Sequence, residues 1–224
     1  MHVPDGFIGV AASAGAGVVA LAGLSVAARK AEADLDDRRV PLTGLVAAFV
    51  FAAQMIAFPI AGGTSGHLIG GVLAAVLVGP WAGAICLAVV VVVQALFADG
   101  GLTALGLNLV NLSLVTTLGG YAVFAALLAV LPRRPMVVPA AAGVAAALSV
   151  LFASTAFAVE YALDGRGGAD PAVVLAAMTG IHALIAAGEG VVTAGAVGAV
   201  LSVRPDLVHA RVERETPRLT ERPA

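Results

Sequence analysis

The residues best able to do chemistry open the chain: Met1-His2-Val3-Pro4-Asp5-Gly6-Phe7. An unblocked Met1 amine, the deprotonated amide nitrogen of His2 and one imidazole nitrogen of His2 close two fused chelate rings around a metal ion. These nitrogens lie in one plane. A fourth completes a square-planar N4 set, the geometry of Ni(II) or Cu(II). The chemistry requires Met1 to be the true, deformylated terminus, because any residue before it turns the amine into an amide. A bulky residue such as His2 at the second position favours retention of Met1.

The remaining candidates are sparse. His67 closes a turn-rich stretch, Ala61-Gly62-Gly63-Thr64-Ser65-Gly66-His67, whose glycines allow tight folding around a bound group. Asp99, in the turn Asp99-Gly100-Gly101, is either a plain turn residue or a group that orients an imidazole, and Ser65 is a further residue beside the site. His182 and Glu189 lie in an apolar segment, seven residues apart and so on one helix face. Ionisable groups there are expensive and read as functional by default. They line a metal path, pair with each other, or fix helix packing. Gln54, Asn108 and Asn111 read as hydrogen-bonding glue between helices. Glu160 sits near the outer end of its span, within reach of water, and His209 reads as a solvated residue.

Composition says what must position these residues. The chain has 224 residues, 60% hydrophobic and 12% charged. Soluble domains carry about 25% charged residues, so this is a membrane protein embedded in a lipid bilayer. The net charge of −2 and the lack of a basic patch exclude nucleic-acid binding. Cys86 is the single cysteine, so there is neither a disulfide framework nor a thiolate metal site. The first basic residues, Arg29 and Lys30, follow the first apolar run, the reverse of a signal peptide. G-x-x-x-x-G-K-[ST] is absent, as are H-E-x-x-H and a Ser/His/Asp set, so no ATPase, intramembrane zinc protease or hydrolase is encoded.

A bilayer core of ~30 Å needs about 20 residues of apolar helix. On that ruler the spans run Phe7 to Ala28, Val40 to Ile60, Leu68 to Gly79, Ala82 to Ala98, Thr103 to Leu131, Met136 to Leu163 and Ala172 to Val203. The third is short and is expected to be a tilted or partly re-entrant helix. Residues 1–203 thus form one membrane-embedded domain, an all-α bundle of about seven transmembrane helices. Residues 204–224 form a charged tail too polar to fold alone. Of the twelve Lys and Arg residues, only Arg166 falls outside if the N-terminus is outside and the C-terminus cytoplasmic. That orientation places Met1-His2, residues 61–67, the Asp99 turn and residues 164–171 together on the outer side. His67 then becomes the natural fourth nitrogen. The Ala12/Ala16/Ala20 face of the first span is small enough to allow close approach of another helix.

Several segments carry a resemblance. They are Met1 to Phe7, Gly63-Thr64-Ser65-Gly66-His67 with Leu68-Ile69-Gly70-Gly71 after it, Gly79-Pro80-Trp81, Gln94 through Asp99 to Asn108, and Glu189 to Thr193. In these the sequence resembles the NikM/CbiM family, the substrate-binding membrane subunits of energy-coupling-factor transporters for nickel and cobalt. The resemblance runs through most of the membrane portion and is most specific in its first two segments. It implies a metal held by the Met1 amine, the His2 amide and imidazole, and the His67 imidazole. It implies a coupling transmembrane subunit, for which the Ala12/Ala16/Ala20 face is a candidate contact, cytoplasmic ATPase subunits and often a small accessory membrane subunit. The Gly-Thr-Ser-Gly-His form is similar to the nickel branch, with cobalt the alternative. The expected protein is a prokaryotic plasma-membrane subunit that transports Ni(II), has no organic cofactor and is not an enzyme. A stand-alone divalent-metal permease would need acidic or histidine residues along its whole path, and the inner half offers little beyond Glu189. An intramembrane metalloenzyme built on His182 and Glu189 lacks a nucleophile and a full metal triad.

Overall fold

The computed structural model describes residues 1–34, 39–56, 58–59, 65–132 and 134–210. Arg38, Arg133, residues 61–64 and the tail beyond Ala210 lie outside the described residues, as do the side chains of Arg39 and Ser65. The chain is an all-α integral membrane bundle. Helices α1 (Val10–Asp34), α2 (Arg39–Gln54), α3 (Gly71–Val78), α4 (Pro80–Leu96), α5 (Leu105–Val130), α6 (Val137–Asp164) and α7 (Pro171–Val203) follow in order. Two-residue strands β1 (Phe58–Pro59) and β2 (Ser65–Gly66) pair antiparallel between α2 and α3.

Each apolar segment of the sequence has a helical counterpart, but of unequal length. Helices α1, α5, α6 and α7 are long and apolar enough to cross a membrane. At 1.5 Å per residue, the eight residues of α3 reach only ~12 Å. The crossing begins instead with the non-helical stretch from His67 to Gly70, so the segment expected as one tilted helix is partly extended. All of α3 is buried, from Gly71 to Val78. A helix apolar on every side belongs at the centre of a bundle, and α3 occupies that place. The second span also stops early, at Gln54 rather than Ile60, and Phe58–Pro59 is extended. A proline has no N–H to continue a helix.

Local sequence explains the remaining boundaries. Gly79, at φ 97°, takes a backbone conformation that other residues rarely adopt, and Pro80 then opens α4 with its φ already set for a helix. Just beyond, Gly83 packs against the backbone of Ala74 and Ala75, so α3 and α4 approach with no side chain between them. Asp170 caps α7 by accepting from the Ala172 N–H at 2.7 Å, with Pro171 in the first turn. Within α5, residues Leu109–Gly119 widen into a π-helix. Hydroxyls serve the disturbed ladder: Thr116 Oγ1 donates to Leu112 O at 2.6 Å, Thr117 donates to Ser113 O, and Ser113 Oγ crosses to Ala84 O of α4 at 2.7 Å.

Apolar packing divides into two zones. One surrounds α3, with Val72, Leu87, Phe124 and Ala145. The other surrounds the N-terminus, with Met1, Val3, Ile69, Phe157 and Met178. Ala20 is fully buried in the second zone, and Ala12 and Ala16 pack against it. The face expected to meet a coupling subunit is therefore turned inward. At the opposite end, Val208 and Ala210 are buried in the first zone, and His209 packs against Gly79 and Tyr121. His209 is thus not the freely solvated residue its polarity suggested. Large apolar side chains such as Val10, Leu21, Leu184 and Val191 remain exposed, as a lipid-facing surface requires.

The α3–α4 contact makes a paired prediction. Gly83→Leu has no room against Ala74 and Ala75 and is expected to lower the thermal midpoint of detergent-purified protein by several degrees or to abolish folding. Gly15→Leu meets open space and is expected to leave it unchanged. Equal melting of the two variants would contradict the packing described.

Candidate metal centre

The N-terminal heptapeptide runs between the α4–α5 turn and the α6–α7 loop, and both hold it by hydrogen bonds. Asn108 on α5 grips Val3 from both sides: its Oδ1 accepts from Val3 N–H at 2.7 Å and its Nδ2 donates to Val3 O at 3.1 Å. Gly101 N–H donates to the same carbonyl at 2.9 Å. Asp5 Oδ1 accepts from Thr103 N–H at 2.7 Å and Thr103 Oγ1 at 2.6 Å, and these bonds hold its carboxyl below the usual range. Phe7 packs on Phe157 and Tyr161, while its carbonyl accepts from Arg166 N–H at 2.9 Å. Gly9 N–H donates to Asp164 O at 2.9 Å. The result is a chain end sealed into the bundle, with Met1 1% and His2 3% exposed.

His67 arrives from the other side on an equally fixed segment. Ile69 N–H and Gly70 N–H donate to the two carboxylate oxygens of Glu189 at 2.6 and 2.7 Å. Gln54 Nε2 donates to Ile69 O at 2.6 Å. Glu189 therefore holds the backbone just after His67 and makes no pair with His182, contrary to the pairing their spacing allowed. His182 Nδ1 donates to Met178 O at 2.7 Å.

Hydrogen assignments at the histidines follow from their partners. His67 Nδ1 carries its hydrogen to Leu68 O at 2.8 Å, which leaves a lone pair on Nε2. His2 Nε2 carries its hydrogen to Gln94 Oε1 at 3.1 Å, which leaves a lone pair on Nδ1. Those two bare nitrogens face each other at 3.2 Å, and Asp99 Oδ1 lies 3.3 Å from His2 Nδ1. With hydrogens so assigned, acceptors converge here, an arrangement that a cation would suit. With metal–nitrogen bonds of ~2.0 Å, adjacent nitrogens of a planar set stand about 2.8 Å apart, so the 3.2 Å gap is close to that of neighbouring ligands.

Electrostatics keep the nitrogens neutral. Burial pushes the Met1 amine from 8.0 down to about 4, against the opposing pull of Asp99. Burial is also the main cause that lowers His2, and it lowers His67 further, with the nearby amine and His2 adding to the effect. Asp99 is 29% exposed and borders an open cavity of about 540 Å³ lined by His2, Pro4, Asp5, Leu96 and Gly101. His2 and Asp99 both line it, so the site opens onto this cavity.

Among the described residues, no three His, Cys, Asp or Glu side chains stand together as a metal cage. His2 and His67 need further donors, and the backbone nitrogens at the buried terminus are at hand. No described residue accepts the His2 amide hydrogen. The structure thus brings together Met1, His2, His67 and Asp99. Glu189 supports the His67 segment, His182 lies on the same helix between Met178 and Ala186 of the N-terminal apolar zone, and the Ser65 side chain lies outside the description. Gln94 and the Val3-binding role of Asn108 were not foreseen as part of the site. Their signal was present in amides placed within apolar helices, but spacing alone did not say which backbone they serve.

Comparison with known proteins accords with this geometry. The family model described as the cobalt uptake substrate-specific transmembrane region, CbiM, matches residues 2–207. A chain of Archaeoglobus fulgidus named as a fused nickel transport protein, NikMN, is 37% identical over 94% of this chain and 69% of its own length. The cobalt transport protein CbiM of Sorangium cellulosum is 35% identical over 75% of this chain and 76% of its own. A crystal structure of a truncated transition-metal transporter superposes with a TM-score of 0.84 at 30% identity, covering 90% of this chain and 99% of that one. By fold and by sequence along nearly its whole length, the chain belongs to the CbiM family of metal-uptake membrane proteins.

Proposed function

We propose that this chain is the substrate-specific metal-binding subunit of an ATP-driven, energy-coupling-factor uptake transporter for nickel, with cobalt as the alternative cargo. The observation that carries the reading is the pair of facing lone pairs on His2 Nδ1 and His67 Nε2, 3.2 Å apart beside a buried chain terminus. The Met1 amine and the His2 amide nitrogen complete a planar N4 set with them. Ni(II) suits that plane, and the relatives' names include both nickel and cobalt transport proteins. The N-terminus faces outside the plasma membrane of a prokaryote, and metal arrives past Asp99. ATP hydrolysis belongs to cytoplasmic partner subunits, since the chain has no nucleotide-binding motif. A coupling transmembrane subunit, with or without a small accessory subunit, transmits its effect.

In metal capture, the protein's part is to present dry, neutral nitrogens in fixed positions. Asn108 and Gly101 fix the peptide that bears the chelate. Gln94 fixes the His2 tautomer, and Glu189 with Gln54 fixes the segment after His67. Only the His2 amide still has to lose its proton at neutral pH.

Ni(II) and Co(II) titration of the purified chain tests this. Both His67→Ala and one uncleaved residue added before Met1 are expected to abolish tight binding. Full binding by the extended protein would sink the chelate. Asn108→Leu leaves the Val3 N–H unpaired, at about 1–3 kcal/mol, and takes one of two donors from the Val3 carbonyl, so it is expected to weaken metal binding by roughly 10- to 100-fold. Unchanged affinity in that variant would show that the clamp is incidental.

The lowered amine and imidazole pKa values make a third test. An amine at its ordinary 8.0 is mostly protonated at pH 7, whereas one lowered to about 4 is not. Binding at pH 7 should therefore release about one proton, from the amide, rather than two or more. Calorimetry in buffers of different ionisation enthalpy measures the number. Because that one proton is released, affinity should fall about tenfold per pH unit near neutrality, and more steeply only as pH nears about 4, where the amine also protonates. An acid limb centred near pH 8 would contradict the burial of the amine.

A further inference from the structure

His182 has no part in the planar set, yet it is fully buried on the α7 face that also carries Glu189, whose carboxylate holds the segment after His67. Met178 and Ala186, one turn to either side of it, pack in the same apolar zone as Met1 and Ile69. The His182 tautomer is set, because Nδ1 carries the hydrogen to Met178 O. Nε2 thus holds a lone pair, buried and without a hydrogen-bond partner. Other buried side-chain atoms without partners (Gln54 Oε1, Gln94 Nε2 and Asn111 Oδ1) belong to amides whose other atom is bonded. They are also weak metal ligands. His182 Nε2 is a strong one.

A planar N4 ion leaves its two axial faces open. Ligand exchange at such a centre proceeds by association: a fifth ligand enters along an axis before an original bond breaks. A chelate containing a deprotonated amide is otherwise slow to load and to release, which conflicts with transport. We propose that His182 is the exchange ligand of this site, its Nε2 coordinating Ni(II) or Co(II) axially while the bond to His67 Nε2 forms or breaks. The inference rests on the N-terminal chelate proposed above. In this step one metal–imidazole bond replaces another. Both rings are neutral, so neither proton nor electron moves, and the amide proton is handled separately by water. Because His182 acts only in passage, it sets the rates in both directions and not the equilibrium.

The test uses the full chain with its native N-terminus in detergent. Stopped flow with Ni(II) chloride follows growth of the planar Ni(II) absorption, and excess EDTA then follows its loss. His182→Ala and His182→Gln are expected to slow both phases alike, by ~10-fold or more, while the planar band still forms. His182→Met, which restores a soft ligand of similar reach, should recover much of the rate. Three results would overturn the proposal: Gln exchanging as fast as His, only one of the two rates changing, or loss of the planar band in the Gln and Met variants. If the native chain forms no planar band, or keeps it when one residue precedes Met1, the chelate itself fails and this inference falls with it.

Discussion

A chain terminus buried in a dry helical bundle must have its polar atoms satisfied, and the rest of this structure follows from that demand. In low-dielectric surroundings each unpaired peptide group costs about 1–3 kcal/mol. The bundle meets the cost by surrounding the first residues with donors and acceptors from several elements. Asn108 serves Val3, Thr103 serves Asp5, and the start of the α6–α7 loop serves Phe7 and Gly9. What remains unserved is the His2 amide and the inward lone pairs of two histidines. A metal is the group that would use them together.

The same constraint accounts for the irregular third crossing. A full helix through this region would have directed the backbone N–H groups of Ile69 and Gly70 along its own axis. The extended stretch from His67 to Gly70 leaves them free, and Glu189 accepts both. A buried carboxylate on α7 thereby binds the segment that carries His67. Helix α3 begins only after this grip, short and buried on all sides. The architecture gives up a regular crossing and gains a rigid ligand. Glu189 and His182 divide the labour along one helix face, one holding backbone and the other presenting an unoccupied nitrogen.

Much of this was legible in the sequence because each feature has a local cause. Apolar runs of spanning length mark α1, α5, α6 and α7, and Gly79-Pro80 and Asp170-Pro171 mark turns through their backbone preferences. The chelating capacity of Met1-His2 is a property of two adjacent residues and needs no fold. Other features depended on which surfaces meet. Ala12, Ala16 and Ala20 suggest a helix contact, but small size alone does not say whether the neighbour is another chain or α5. His209 follows a helix end and looks solvated, yet Val208 and Ala210 beside it pack into the core.

The sequence by itself therefore determined the class of the protein and the approximate spans, because those rest on hydrophobicity and length, and local chemistry alone suggested the chelate proposed at Met1-His2. The tertiary structure decided that His67 reaches within 3.2 Å of His2, that Asn108 clamps Val3 across 105 residues, and that Glu189 holds Ile69 and Gly70 rather than pairing with His182. These are contacts between residues far apart in the chain. Helical periodicity says which face a residue occupies; only packing of the whole bundle says what that face touches.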